Sequence, residues 1–141
     1  MIVPAHEYQR EINLFVSRGL GVPPFEMCQC LGWATEAEGL VAGVVFHNFD
    51  PDRGAIEMSA YSQNRGWLDR NRLRAVFSYP FDQLKCRIAV ARIAESNTTA
   101  RRIWRALGSS ETLVPDLYAA GEAEAICILR ADAWQKSNFV R

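Results

Sequence analysis

Residues 55–70 read Ala55-Ile56-Glu57-Met58-Ser59-Ala60-Tyr61-Ser62-Gln63-Asn64-Arg65-Gly66-Trp67-Leu68-Asp69-Arg70, and three kinds of local structure follow one another within them. Ala55 to Tyr61 is a largely apolar run of strand length. Ser62 to Asp69 is a short turn around Gly66. From there Leu73, Val76 and Phe77 recur at helical spacing, which predicts a helix reaching about Tyr79. The first backbone N–H groups of a helix have no intrahelical partner and point outward, so a strand, a glycine turn and a helix start together form a natural anion site. The expected ligand is a phosphate.

Working outward, charge supports the same expectation. Between Gln63 and Arg105 lie ten basic residues (Arg65, Arg70, Arg72, Arg74, Lys85, Arg87, Arg92, Arg101, Arg102, Arg105) against three acids (Asp69, Asp82, Glu95), a local net of +7. The whole chain has 16 of each sign and no net charge, so the rest carries −7. Such asymmetry points to a polyanionic partner, although arginines on helices also serve as a solvated face. Nucleic acid is not the expected polyanion, because no exposed aromatics interleave the arginines and no recognisable binding module is present.

The chain has 141 residues, 49% hydrophobic and 23% charged, which suits one folded domain spanning residues 1–141 with a single core. The start, Met1 to Glu7, lacks a basic region followed by a long apolar stretch, and no run is long enough to span a bilayer. A cytoplasmic protein with no membrane partner is expected. Cys28, Cys30, Cys86 and Cys127 lie in apolar strand-like runs, where reduced cysteine behaves as a small hydrophobe. Cys28 and Cys30 have no second ligand pair nearby, and His6 and His47 are isolated, so no metal site is expected.

In chain order, Tyr8, Ile12, Phe15 and Val16 mark one face of a helix over residues 5–18, ended by Gly19 and Gly21. Val22-Pro23-Pro24 is a rigid linker. Strands are predicted over Phe25–Ala34, Leu40–Phe49 and Ala55–Tyr61, joined by turns at residues 35–39 and 50–54, which makes an antiparallel meander. The second of these is apolar nearly throughout and should be buried on both faces. The helix ending at Pro80 leads to a fourth strand, Cys86–Ala94, reached by a crossover and hence parallel to the third. Ser96 to Thr99 supply N-cap residues for a helix whose apolar face is Ala100, Ile103, Trp104 and Leu107, stopped by Gly108. Two last strands, 111–118 and 124–130, precede a short helical turn over 131–135.

This order of elements resembles that of the GNAT family of N-acetyltransferases, and two motifs carry the resemblance. The family's acyl-CoA turn, Gln/Arg-x-x-Gly-x-Gly/Ala, is similar to Gln63-Asn64-Arg65-Gly66-Trp67-Leu68, with Leu68 at the last small position. The family's Asn-x2-Ala-x3-Tyr-x3-Gly-Phe is matched in spacing by Asn97, Ala100, Trp104 and Gly108, with Trp104 in place of Tyr and Ser109 in place of Phe. The run from Tyr79 to Leu84 leading into Arg87-Ile88-Ala89-Val90 is also similar to small phage and bacterial members close to the ribosomal-protein-type acetyltransferases. The resemblance covers residues 40–134.

It implies an α+β (mixed α/β) fold: a central, mostly antiparallel sheet with one parallel, splayed strand pair and helices on both faces. It also implies an acetyl-CoA-dependent N-acetyltransferase in which an amine attacks the thioester directly within a ternary complex. By resemblance, Met58, Ser59, Ala60 and Tyr61 hold the pantetheine arm. Gln63, Asn64, Arg65, Gly66, Trp67 and Leu68 form the turn whose amides from Arg65 to Leu68 hold the pyrophosphate. Asn97 bonds the cofactor or caps its helix, and Arg101 joins the cofactor-binding set on charge.

Acetyl transfer needs a base for the ammonium proton and often an acid for the departing thiolate. Glu57, which interrupts the apolar strand, and His47, on the neighbouring strand, are the candidate bases; each could instead be a structural strand residue. Trp104 stands where the family places its acid, a role indole cannot fill, and its spacing also fits a buried face. The alternative to an enzyme is a non-catalytic acyl-CoA-binding or protein-interaction module on the same fold. The acceptor is unspecified among protein amines, aminoglycosides, polyamines and aminoacyl-tRNA, and the oligomeric state is open, a homodimer included.

Overall fold

A computed structural model describes residues 1–140. The elements are β1 (Val3–Pro4), α1 (Gln9–Leu20), β2 (Gln29–Thr35), β3 (Gly39–Asp50), β4 (Ala55–Ser62), α2 (Arg70–Ser78) continued by a π-helical turn (Tyr79–Gln83), β5 (Ile88–Ala94), α3 (Thr98–Ala106), β6 (Ser110–Ala119), β7 (Glu122–Arg130) and α4 (Ala131–Lys136). The seven strands form one sheet in the order β1-β2-β3-β4-β5-β7-β6. All neighbours are antiparallel except β4 and β5. The meander, the crossover and the single parallel pair therefore stand as the sequence suggests.

Strand alternation divides the core in two. On β3, Ala42, Val44 and Phe46 face one side with Leu73, Phe77, Trp104, Leu129 and Trp134, while Val45 faces the other with Ile12 and Val16 of α1. Residues 41–47 are all buried, which explains their nearly unbroken apolar run. Helix α1 thus lies alone on one face over β2, β3 and β4, and α2, α3 and α4 lie on the other.

Several boundaries differ from the sequence expectation, each for a local reason. Residues 25–28 do not join the sheet, because the Asn13 side chain takes both backbone groups of Phe25, accepting from its N–H at 2.9 Å and donating to its C=O at 2.8 Å. Residues 5–8 form a turn ahead of α1, tied to β2 by the Ala5 N–H bond to Gly32 O and by the Gly32 N–H bond to His6 Nδ1. Gly19 does not stop α1; it makes room for Tyr61, whose ring would lie 2.2 Å from a Cβ there. Gly21, at φ 71°, ends the helix instead. Pro80 does not close α2 outright: proline cannot supply the N–H that the α-helical ladder requires, and the helix continues past it as the wider π-helical turn Tyr79–Gln83.

Close approach of α1 depends on a second glycine. A Cβ at Gly43 would lie 2.8 Å from Val16 Cγ2 and 2.9 Å from Ile12 Cγ2, both on stiff β-branched side chains. Gly43→Ala is expected to cost about 1–3 kcal/mol through overpacking. Urea unfolding measures it, and unchanged stability would contradict this packing of α1 on the sheet.

Candidate functional site

The parallel pair is short. Its register runs Ala55↔Ile88, Ile56↔Ala89 and Glu57↔Val90, and then stops. Both strands continue: β4 stays paired with β3 through Ser62↔Ala42, and β5 stays paired with β7 through Ala94↔Glu124. The strands therefore diverge past Glu57, opening a wedge along which Met58 to Ser62, paired with β3 on one edge, has no strand partner on the other; the backbone groups of Met58 and Ala60 face it, while those of Ser59 and Tyr61 are turned to β3. Met58, Ser59, Ala60 and Tyr61 are brought to this lip together.

The turn follows at the open end. Gln63 N–H bonds Val41 O at 2.8 Å, Gly66 N–H bonds Asn64 Oδ1 at 2.9 Å, and Trp67 N–H bonds Asn64 O at 3.2 Å. The expectation that all four amides from Arg65 to Leu68 are free for a phosphate is thus corrected, because Gly66 and Trp67 already donate within the turn. Among the described residues, the Arg65 and Leu68 amides have no acceptor. The Trp67 ring packs on Trp33 with centroids 5.1 Å apart, and Leu68 lies against the same core, so both side chains point into the protein. Asp69 caps α2, accepting from Arg72 N–H at 2.9 Å and pairing with its guanidinium at 3.1 Å. A carboxylate therefore already answers part of the positive helix end.

Most of the arginine surplus is likewise committed within the fold. Arg101 donates to both oxygens of Glu111, at 2.6 and 3.1 Å, and to Glu95 O at 2.8 Å; this pairing raises the arginine's pKa and holds the Glu111 carboxyl below its ordinary range. Arg101 is an anchor between α3 and β6 rather than an open cofactor contact. Arg92 pairs with the buried Glu124, Arg70 bonds Asn138 O, Arg74 bonds Phe139 O and Arg87 bonds Arg53 O. Arg65, Lys85 and Arg102 have no partner among the described residues.

Asn97 caps α3, its side chain accepting from Ala100 N–H at 3.2 Å, and it stands just past the wedge end of β5. Trp104 is 8% exposed and meets Phe77 edge-on at 5.4 Å, which places it in the core. All four cysteines are free thiols, and burial pushes Cys30 up to about 12 and Cys127 to about 11.

The two candidate bases do come together. His47 lies opposite Glu57 in the sheet, with Nε2 3.8 Å from Glu57 Oε2 and 2.9 Å from Ser59 Oγ. Phe25 covers the imidazole at 4.5 Å between centroids. Burial lowers the His47 pKa, opposed by the Glu57 charge, so the ring is neutral at neutral pH. These side chains lie on the α1 face at the point where the wedge begins. The sequence reading missed Ser59 as the partner of His47, and with it Phe25 and Asn48, whose Nδ2 donates to Glu57 Oε1 at 3.1 Å.

No sequence model of a protein family matches the chain, and no curated protein does. Solved structures match it over nearly its whole length. The spermidine/spermine N-acetyltransferase SpeG from Vibrio cholerae, in mutant forms, is 10% identical with a TM-score of 0.73, covering 96% of this chain and 98% of its own. The fold is that of the GNAT acetyltransferases. The Vibrio cholerae spermidine N-acetyltransferase in complex with CoA and spermine matches with the same TM-score of 0.73, identity of 10% and coverages of 96% and 98%. A probable acetyltransferase, 18% identical, gives 0.63 over 76% of this chain and 63% of that one. Among the described residues no helix is long and apolar enough to cross a membrane.

The lowered His47 pKa carries a pH dependence. In the unfolded chain the imidazole takes a proton near pH 6.5, whereas in the fold it does so only at lower pH, so its contribution to stability is complete above about 6.5 and declines as pH falls below it. Urea unfolding at about pH 7.5 and about pH 5.5 should show a loss of stability on acidification that is smaller in His47→Gln. An equal loss in both proteins would contradict a desolvated imidazole.

Proposed function

We propose that the protein is an acetyl-CoA-dependent N-acetyltransferase acting on an amine. The divergence of β4 from β5 carries this reading, because along Met58 to Tyr61 it leaves the backbone groups that face away from β3, those of Met58 and Ala60, open to an extended chain bearing amides. Pantetheine is such a chain. The unmatched amides of Arg65 and Leu68, with the uncommitted Arg65 side chain, suit its pyrophosphate end. Asn97 suits a contact to the arm from the other lip.

An amine entering from the α1 face meets the acyl carbon beside Glu57, His47 and Ser59. Its nitrogen attacks the thioester carbonyl carbon, the wedge-facing Ala60 backbone N–H receives the developing oxyanion, and the C–S bond breaks to release CoA as thiolate. The ammonium proton passes to the His47–Glu57 pair, directly or through water. Trp104 is assigned a packing role, and the thiolate leaves without a general acid, which the ordinary thiol pKa near 8.5 allows. The resemblance to the spermine-bound neighbour makes polyamines the first acceptors to try, together with peptide amines. A cytoplasmic location fits acetyl-CoA supply.

The capped α2 end and the two internally bonded turn amides favour a second reading, a module that holds acyl-CoA weakly and transfers nothing. Binding and turnover separate the two. Acetyl-CoA should raise the melting temperature, by an amount equivalent to about 2.7 kcal/mol at a hundredfold excess over its Kd. Glu57→Gln should bind it equally well yet release free thiol, in the presence of spermine or a peptide amine, roughly 10²-fold more slowly. No melting shift and no calorimetric signal would remove the acetyl-CoA reading; binding with no amine-dependent thiol release would favour the module. Trp104→Tyr should melt lower with turnover per folded molecule unchanged, whereas altered turnover at unchanged stability would return Trp104 to the chemistry.

A further inference from the structure

Glu57 and His47 face each other because of an irregularity in β3. The turn after β3 closes on Asp50↔Ala55, and regular antiparallel pairing from there would bring Asn48 opposite Glu57. The observed pair is His47↔Glu57, so β3 carries one extra residue between His47 and Asp50. A shift of one residue exchanges the faces of a strand. Without the bulge, the register set by the turn would bring His47 opposite Met58 instead of Glu57.

Asn48 is where the backbone makes this bulge. Its φ is 52°, in the left-handed region, which glycine enters without strain and which asparagine tolerates better than other residues with side chains. A glycine would make the same bulge at no steric cost. What asparagine adds is its amide, whose Nδ2 donates to Glu57 Oε1 at 3.1 Å and leaves Oε2 directed at His47 Nε2 at 3.8 Å. A local kink that re-aims side chains is a feature of functional sites.

We propose that Asn48 is the positioning residue of the proton-accepting pair: its bulge sets His47 opposite Glu57, and its side-chain amide holds the Glu57 carboxylate facing the imidazole. The catalytic meaning of the pair rests on the acetyltransferase reading above, but the positioning itself is a property of the free protein. The groups facing His47 are Glu57 and Ser59 from β4 and the Phe25 ring from the segment after α1. Of these only Glu57 carries charge.

The experiment is an NMR titration of His47 in the free protein, compared with Asn48→Gly and Asn48→Asp. Glycine keeps the left-handed bulge and removes the amide, so the carboxylate is released toward solvent, its charge supports the imidazolium less, and the His47 midpoint should fall by roughly half a pH unit or more. Aspartate tolerates the same backbone and adds a negative charge, so the midpoint should rise. In amine acetylation, Asn48→Gly should lower kcat about threefold to tenfold while acetyl-CoA affinity is unchanged. A His47 midpoint unmoved by Asn48→Gly overturns the proposal, whether or not the protein transfers acetyl groups. Absence of any transfer in the unsubstituted protein, with the midpoint moving as stated, overturns the acetyltransferase reading and leaves the positioning intact.

Discussion

Three registered residue pairs join β4 to β5, and the architecture depends on their stopping at Glu57↔Val90. Two parallel strands can part without fraying only if each keeps another neighbour. β3 supports β4 as far as Ser62, and β7 supports β5 as far as Ala94. The order β5-β7-β6 follows from this need: the final hairpin folds back so that β7, its inner strand, lies beside β5. Helix α2 departs from the free end of β4 and α3 from the free end of β5, so both capped helix starts, at Asp69 and Asn97, lie toward the open end of the wedge. Crevices beyond the carboxyl ends of parallel strands are where such sheets commonly receive ligands.

The arginines show how a local charge surplus can be structural. Glu111 and Glu124 come from the acidic remainder of the chain, and the sheet brings them to Arg101 and Arg92. Carbonyls near both chain ends take Arg70, Arg72 and Arg74. What remains for a polyanion is small: Arg65 at the turn, with Lys85 and Arg102 elsewhere. That arrangement suits one phosphorylated ligand of modest size better than a nucleic-acid backbone, which needs many open cations.

Much of the fold was legible because pattern and turn chemistry agree. The apolar run 41–47 marks a strand buried on both faces, Asn97 and Gly108 bracket α3, and a helix between Ala55–Ser62 and Ile88–Ala94 demands a parallel crossover. Misplaced boundaries came from side chains acting on backbone at a distance, as Asn13 does on Phe25. The His47–Glu57 pair could be listed from sequence but not assembled. Counting back from the Asp50–Gly54 turn places Asn48 opposite Glu57, and only the bulge, which no residue type enforces, brings His47 there. The burial of Trp104 was an open alternative in the helical spacing and was decided by Phe77. The commitment of Arg101 required knowing that β6 passes α3 with Glu111 facing it.

The account centres on strand backbone left unpaired by the wedge as the seat of a CoA arm, and hydrogen exchange tests that most directly. Amide exchange is measured residue by residue with and without CoA. Slowing is expected at the wedge-facing β4 residues, Met58 and Ala60, and at Arg65 and Leu68, with little change in α1 or β2. Protection confined to other elements, or none along β4 when CoA is shown to be bound, would contradict it.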